Sequence, residues 1–359
     1  TINTGEEQTL ASNYLKNASF EIADDNSKPQ GWSNTFSVST LDVFECEKAC
    51  HLKQIGNAAA AKYTEQTVSV LPGIYYTFSI YAKAVANGSR ITLKVSEIDF
   101  SNTEHESKTK SFVVSTSEYE KFALTLKTTS NTAKLKVAFG FDSGESGEVF
   151  VDCTQLEKGE GGAAYNYISN GMLTNPATET LGEWNGNTEN TTIVSSSIGG
   201  EPVNALKISG VMPECVVDEN SATLVDSICA LTRRINVIGK KGEEFTFGGM
   251  FNGRIVENEL SQRAFLVLGL GEEALPFSKT HERTVQIKAT YSYTEETENE
   301  DGTKSTTTKT EETAAVFDKD ISGWQLSAQS FVLKGDIEYI DITVMCKNIS
   351  ADAMFTGFM

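Results

Sequence analysis

Few residues of this chain have the types and the spacing that catalysis requires. The three histidines, His51, His105 and His281, lie apart in polar segments, and neither an HExxH nor a GxSxG pattern occurs. A Gly-x-Gly-x-x-Ala run at 269–274 has the spacing of a dinucleotide fingerprint. However, Pro276 follows before a helix could form to hold a phosphate. The sequence therefore predicts a protein that is not an enzyme.

The six cysteines are compatible with either free thiols or disulfides. Cys46 and Cys50 share a short loop, and Cys215 and Cys229 flank an irregular stretch, so either pair could form a disulfide in an exported protein. Zinc is not expected, because no second CxxC and no paired histidines accompany them. The other two cysteines lie in strand-like runs, where a buried apolar role is expected: Cys153 and Cys346.

Charge and length limit the possible partners. The chain has 359 residues, enough for two domains, and its net charge is 30 − 49 = −19. Such an acidic surface argues against binding to nucleic acid or to anionic lipid, both of which require clustered lysine and arginine. It favours solubility and divalent-cation sites. No run approaches the roughly 20 apolar residues of a membrane helix, so membrane insertion is not expected.

The hydrophobic pattern is that of β-strands. Alternation with period two recurs along the chain, whereas long stripes of helical period are missing. In the run 75–81, Tyr76, Phe78 and Ile80 would point one way and the residues between them the other. Short strands with one buried and one hydrated face favour an antiparallel β-sandwich.

The chain also contains the same order of motifs twice. Asn17-Ala18-Ser19-Phe20-Glu21 precedes Gly31-Trp32, and Asn170-Gly171-Met172-Leu173 precedes Gly182-Glu183-Trp184, with the tryptophans 184 − 32 = 152 positions apart. A glycine-led strand follows each tryptophan, at 73–80 and at 242–247. A repeat of this length predicts two whole domains. We place them at 1–160 and 161–359, divided at the glycine- and charge-rich run 157–162.

The second domain is predicted to carry an inserted β-hairpin around 288–316. Asp301-Gly302 is a strong two-residue turn signal and would pair Ile287 with Val316 and Asn299 with Lys304. The arms are rich in threonine and glutamate and have no apolar face to bury. We therefore expect the hairpin to protrude.

The first copy resembles the carbohydrate-binding-module-like (galactose-binding-like) jelly rolls of Gram-positive bacterial cell-wall-associated surface proteins, which also occur in phage tail proteins. The resemblance rests on the opening motif at 17–21, on Gly31-Trp32, on 72–79 and on the closing run 149–159. It implies an all-β chain of two tandem jelly-roll β-sandwich domains. It also implies a non-catalytic carbohydrate-binding or adhesion role in an exported surface protein, with glycan or cell-wall polysaccharide as the partner. The alternative is a structural spacer or receptor-binding segment of a phage tail or adhesin.

The resemblance further implies one structural calcium ion in the first domain. The matching carboxylates are Glu21 and Asp152, with Asp24 or Asp25 and backbone carbonyls completing the shell. In the second domain the corresponding positions, near 173–174 and at Thr356, carry no carboxylate. A calcium site is therefore expected in the first domain alone.

Sugar recognition calls for an aromatic platform with polar groups around it. The hydrated side of the strand at 73–83 supplies Tyr75, Tyr81 and Lys83, and Trp32 completes the predicted ligand-binding set. A tryptophan that follows glycine in a repeated frame is more often a core anchor, so the role of Trp32 stays open. The matching strand of the second domain offers Thr246, Gly248, Met250 and Asn252 without an aromatic side chain. The first domain is thus the expected glycan binder, on an extracellular or cell-surface protein or a virion.

Overall fold

The structure is a computed structural model and describes residues 12–56, 60–160, 165–173, 181–198, 201–209, 211, 214–218, 221–253, 283–298, 303–318, 322–349 and 352–359. The chain divides into two compact units, one of residues 1–174 with residue 359 and the other of residues 175–358. No helix in the described parts of the chain is long and apolar enough to cross a membrane.

The strands of the first unit are β1 (Ser37–Ser39), β2 (Ala49–Gln54), β3 (Lys62–Ser69), β4 (Tyr75–Ala84), β5 (Arg90–Asp99), β6 (Glu104–Val113), β7 (Glu120–Lys127), β8 (Thr132–Phe141) and β9 (Gly147–Lys158). Those of the second unit are β10 (Asn185–Gly186), β11 (Thr191–Ile198), β12 (Glu201–Ile208), β13 (Glu214–Asp218), β14 (Ser221–Val225), β15 (Ile228–Gly239), β16 (Glu244–Gly253), β17 (Thr284–Glu298), β18 (Lys304–Val316), β19 (Trp324–Val332), β20 (Ile337–Lys347) and β21 (Ala353–Thr356).

The first unit is a sandwich of two antiparallel sheets. One sheet has the order β1-β2-β9-β4-β7 and the other the order β3-β8-β5-β6. From β2 to β9, the strands are shared between the two sheets in the order that defines a jelly roll. As predicted, Tyr76, Phe78 and Ile80 of β4 are buried, although Thr77 and Ser79 between them are buried as well. The first three join one apolar core with Leu93 of β5 and Phe139 of β8.

The second unit repeats this order. Its sheets run β11-β12-β21-β16-β19 and β10-β15-β20-β17-β18, and a separate β13-β14 ladder accompanies them. The strands β12 and β15–β21 thus correspond one by one to β2–β9. The two sheets meet through aromatic contacts such as that of Tyr291 on β17 with Phe331 on β19, whose ring centroids are 5.3 Å apart. The predicted all-β architecture of tandem jelly-roll sandwiches is confirmed.

The predicted hairpin is formed by β17 and β18, with a register one residue away from the expected one. Gln286 pairs with Val316 and Glu298 with Lys304, whereas the sequence had suggested Ile287 and Asn299 for these partners. The predicted turn at Asp301-Gly302 lies outside the described residues. The hairpin is a lengthened counterpart of the β5–β6 pair, since its strands have 15 and 13 residues where β5 and β6 have 10 each.

The compact units divide after residue 174, whereas we had placed the domain boundary after residue 160. The reason is that residues 165–173 bind to the first unit. The backbone N–H of Asn166 donates to Oε1 of Gln155 at 2.7 Å, and that of Asn170 donates to the carbonyl oxygen of Leu15 at 3.1 Å. The glycine-rich run thus marks the end of strand β9 and not the end of the contacts made by the first unit.

Candidate ligand-binding surface

Strand β4 places the predicted ligand residues on the outer face of its sheet, the side away from the core. Because side chains alternate along a strand, Tyr75, Tyr81 and Lys83 share this face. Strand β7 places Lys127 opposite Tyr75 and Lys121 opposite Tyr81. Strand β9 places Asp152 on the other side of Tyr81.

The outer face of β4 is not a continuous groove. Thr77 and Ser79, which lie between the two tyrosines, are buried. Gly159, directly after β9, lies against Thr77, whose hydroxyl donates to the carbonyl oxygen of Gly159 at 2.9 Å. Tyr75 and Tyr81 are six residues apart on one strand, which corresponds to ~20 Å. The structure therefore separates the two tyrosines into different surface regions.

Tyr75 is an isolated aromatic side chain. It is 39% exposed, and the ammonium group of Lys127 lies 5.2 Å from its ring centroid. Among the described residues, no aromatic ring packs against it. Tyr75 thus offers a single ring and one cation to a ligand.

Tyr81 belongs to a cluster of three aromatic side chains, Phe44, Tyr81 and Tyr119, which we call the aromatic platform. The ring of Phe44 lies parallel to that of Tyr81, with centroids 4.4 Å apart and an interplanar angle of 13°. The ring of Tyr119 lies 5.3 Å from that of Phe44. Phe44 remains 39% exposed. Since Phe44 covers one face of Tyr81, Phe44 itself is the ring that a ligand would meet.

Polar groups border the aromatic platform. The ammonium group of Lys83 lies 2.8 Å from the Asp42 carboxylate, and both side chains remain partly exposed. The Tyr119 hydroxyl donates to the Asp42 backbone carbonyl at 3.0 Å, and burial raises the pKa of this tyrosine. Lys121 lies 5.9 Å from the Tyr81 ring centroid, and burial lowers the pKa of its ammonium group. The platform therefore has hydrogen-bond donors and an acceptor at its rim.

Two carboxylates hold the loop that carries Phe44. Asp152 is fully buried, and its Oδ2 accepts hydrogen bonds from the backbone N–H groups of Phe44 at 3.1 Å and Glu45 at 3.0 Å. Oε1 of Glu21 accepts from the N–H groups of Glu47 at 3.2 Å and Lys48 at 3.0 Å. Four backbone hydrogen bonds thus hold the loop of residues 44–48 and fix the position of Phe44 in the aromatic platform.

Burial and hydrogen bonding shift the pKa values of Asp152 and Glu21 in opposite directions. Loss of solvent raises the pKa of Asp152 to about 7, although three backbone N–H groups lower it. Burial also raises the pKa of Glu21, against the effect of the N–H groups of Lys48 and Glu47. Glu21 adds to the shift of Asp152, because two negative charges near each other disfavour ionisation.

The carboxylates predicted to bind calcium do not fit that ion in this arrangement. Glu21 and Asp152 face N–H donors, and the ammonium group of Lys48 lies 2.8 Å from the carbonyl oxygen of Glu21. Asp24 accepts from the N–H groups of Asn26 and Lys28 and thereby stabilises its own turn. Among the described residues there is no group of three or more His, Cys, Asp or Glu side chains that could hold a metal ion.

Trp32 lies in the core and is removed from the candidate ligand residues. It is 5% exposed, and its ring packs between Phe20 and Phe139 at centroid distances of 5.5 and 5.4 Å. Its indole N–H donates to the carbonyl oxygen of Asn17 at 3.2 Å. With its ring covered and its N–H bonded, Trp32 has no surface to offer to a sugar.

The second unit lacks an equivalent of the aromatic platform on strand β16. Met250 pairs with Thr356 as Tyr81 pairs with Asp152, so these positions correspond. The neighbouring position, which Lys83 occupies in the first unit, is Asn252. At these two positions the second copy thus has neither an aromatic ring nor a carboxylate.

Sequence reasoning missed Phe44, Tyr119 and Asp42. A signal was present for the first of them, since Val43 and Phe44 form a short apolar run within an otherwise polar loop. Tyr119 stands in a polar stretch just before β7 and gives no such signal.

Comparisons with known proteins supply neighbours of low similarity. No protein-family model matches the chain, and no curated protein matches it. Among solved structures, the tandem domain CBM22-1-CBM22-2 of Xyn10C from Paenibacillus barcinonensis is 11% identical, with a TM-score of 0.33 over 96% of this chain and 98% of that one. A family 16 carbohydrate-binding module is 17% identical, with a TM-score of 0.31 over 40% of this chain and 99% of that one. The module TmCBM61, solved with β-1,4-galactotriose, is 19% identical, with a TM-score of 0.31 over 41% of this chain and 99% of that one.

Proposed function

We propose that this chain is a non-catalytic pair of carbohydrate-binding modules whose first unit carries the glycan-binding surface. The observation that supports this most directly is the aromatic platform. A half-exposed phenyl ring, backed by two tyrosines, stands beside the partly exposed Lys83–Asp42 pair. Sugars present an apolar ring face with hydroxyl groups around its edge, and this combination of groups complements both.

In the proposed binding mode a pyranose ring lies on Phe44. The Lys83 ammonium group donates to one hydroxyl, and the Asp42 carboxylate accepts from another. Because the loop is already held by Asp152 and Glu21, little conformational entropy would be lost on binding. A single shallow surface of this kind binds weakly, so several copies would be needed for firm attachment to a polysaccharide.

This role suits an exported bacterial surface protein, where the module would attach the parent protein to glycan or cell-wall polysaccharide. The alternative is a spacer or receptor-binding segment of a phage tail or adhesin. It gains support from the second unit, which keeps the fold but has Met250 and Asn252 where the first has Tyr81 and Lys83. The two roles differ in whether the chain binds glycan at all.

Affinity electrophoresis of the full chain in gels containing soluble polysaccharides, together with a glycan array, tests the proposal. We expect retardation by at least one polysaccharide. We also expect Phe44→Ala or Tyr119→Ala to weaken binding roughly tenfold, which is about 1.4 kcal/mol. Phe100→Ala is the matched control, because Phe100 is an aromatic side chain that is 68% exposed and has no part in the platform.

Two outcomes would contradict the proposal in different ways. If no glycan is bound, the proposed carbohydrate-binding function is wrong and the result supports the spacer alternative. If glycan binding survives Phe44→Ala and is lost in Tyr75→Ala, the function stands but the binding surface lies at Tyr75. Unfolding midpoints in urea show whether each variant keeps the wild-type fold.

A further inference from the structure

Two cysteines of the second unit lie directly opposite each other on neighbouring strands. Cys229 of β15 and Cys346 of β20 are partners in the antiparallel ladder. Both are free thiols in the structure, and both are buried, with exposures of 4% and 0%. Opposite residues in an antiparallel pair point to the same side of the sheet, so both side chains face the core.

The hydrogen-bond pattern sets the spacing of this pair. The N–H of Asn348 donates to the carbonyl oxygen of Ser227 at 3.0 Å, which makes Ser227 and Asn348 a hydrogen-bonded pair. Hydrogen-bonded pairs recur every second residue, so Cys229 and Cys346 form one as well. Such pairs have Cα atoms about 5.5 Å apart, and disulfides most often join Cα atoms about 5.5–6 Å apart.

The thiols lie near the edge of their sheet. Strand β10, of two residues, is the outer neighbour of β15. Close to Cys229, the Asn187 backbone N–H donates to the carbonyl oxygen of Ala230 at 3.2 Å. The Cys229 thiol in turn donates to the carbonyl oxygen of Asn187 at 3.7 Å. Local opening of this short edge would admit a small oxidant without unfolding the sandwich.

Two cysteines of the first unit are placed differently. Cys50 lies opposite Val151, and Cys46 lies in the loop that Asp152 and Glu21 hold. The sequence had offered Cys215 as a partner for Cys229, whereas the fold brings Cys346, 346 − 229 = 117 positions away, to face it.

We propose that Cys229 and Cys346 form a cross-strand disulfide when the protein meets an oxidising pool of small-molecule disulfide such as glutathione disulfide. The Cys229 thiolate attacks one sulfur of that disulfide and forms a mixed disulfide, releasing the first small thiol. The Cys346 thiolate then attacks the Cys229 sulfur and releases the second. Two protein thiols thereby lose two electrons and two protons, and one small disulfide becomes two thiols.

The disulfide would join strands that are far apart in sequence, and a link across so long a loop constrains the unfolded chain strongly. Burial raises the pKa of both thiols, so the reaction should be slow at neutral pH and faster in mild alkali. The oxidised protein should unfold at higher urea concentration than the reduced one and return to the lower midpoint with dithiothreitol.

Peptide mapping by mass spectrometry, without reduction, tests the proposal on the full folded chain after incubation with glutathione disulfide. We expect a linked pair of peptides containing Cys229 and Cys346, lighter than the separate peptides by two hydrogens. Cys346→Ala should lose the link, whereas the matched control Cys50→Ala should keep it. Three results would overturn the proposal: a Cys215–Cys229 link, glutathione adducts alone, or two thiols that stay reduced. Because the wild-type map decides between these results, a variant that fails to fold leaves the test intact.

Discussion

The buried carboxyl group of Asp152 should make stability depend on pH in a way that one substitution removes. Its pKa is raised from 3.8 to about 7, chiefly by burial, while in the unfolded chain it returns to about 3.9. Between these values the folded protein binds a proton that the unfolded chain does not bind. This contribution to stability is therefore complete below the unfolded pKa, declines as pH rises and is lost above about pH 7.

The size of the effect follows from this window. A rise from pH 5.5 to pH 8 includes the last 7 − 5.5 = 1.5 pH units below the folded-state pKa of Asp152. Over that range stability falls by about 1.36 kcal/mol per pH unit. We therefore expect the wild type to lose about 2 kcal/mol through this group. Asp152→Asn keeps an oxygen for the N–H groups of Phe44 and Glu45 but does not titrate. Between pH 5.5 and pH 8, the unfolding free energy of Asp152→Asn should therefore rise relative to that of the wild type by this same amount.

Urea unfolding of both proteins at the two pH values, followed by tryptophan fluorescence, measures this difference. Other groups titrate in both proteins and cancel. Asp336→Asn is a matched control, because hydrogen bonds from the Lys241 backbone N–H and the Lys240 ammonium group lower the pKa of Asp336, so that group stays ionised in both states over this range. A difference between wild type and Asp152→Asn that stays constant, or that moves in favour of the wild type as pH rises, would refute the reasoning.

Two further predictions concern the same unit. Trp32→Ala should lower the unfolding free energy by about 3–5 kcal/mol, because it opens a cavity between Phe20 and Phe139; a loss below about 1 kcal/mol in urea unfolding would place the indole outside the core. A chelator such as EDTA should leave the thermal midpoint unchanged, because Glu21 and Asp152 already accept backbone hydrogen bonds. A fall in the midpoint that disappears in Asp152→Ala would instead support the calcium site suggested by the family resemblance.

The strands and their repetition could be predicted because both depend on local signals. Alternation in β4 correctly places Tyr76, Phe78 and Ile80 in the apolar core. The turn before that strand is just as local, since Gly73 and Gly242 both adopt positive φ, at 73° and 94°, in the two copies. Patterns of two to four residues are sufficient to specify such features, whatever the rest of the chain does.

The aromatic platform could not be predicted, because contacts between distant residues create it. The loop that carries Phe44 is held by Asp152, 108 positions later in the chain. Tyr119 reaches back 77 positions to the backbone of Asp42. Alternation alone placed Tyr75 and Tyr81 on one surface. It had no means of showing that Thr77 and Ser79, which lie between them, are buried.

The start of each copy is marked by an asparagine turn and not by the glycine-rich run. Asn13 and Asn166, 166 − 13 = 153 positions apart, each accept a hydrogen bond from the N–H two residues later, at 3.1 and 2.8 Å. Seven residues further on, Phe20 and Leu173 each adopt positive φ, at 60° and 54°, an unfavourable conformation for such side chains. Burial of both side chains offsets that cost. The two segments thus share one local structure, with the same hydrogen bond and the same positive-φ residue at the same spacing. The repeat therefore starts at Asn166, even though residues 165–173 pack with the first unit.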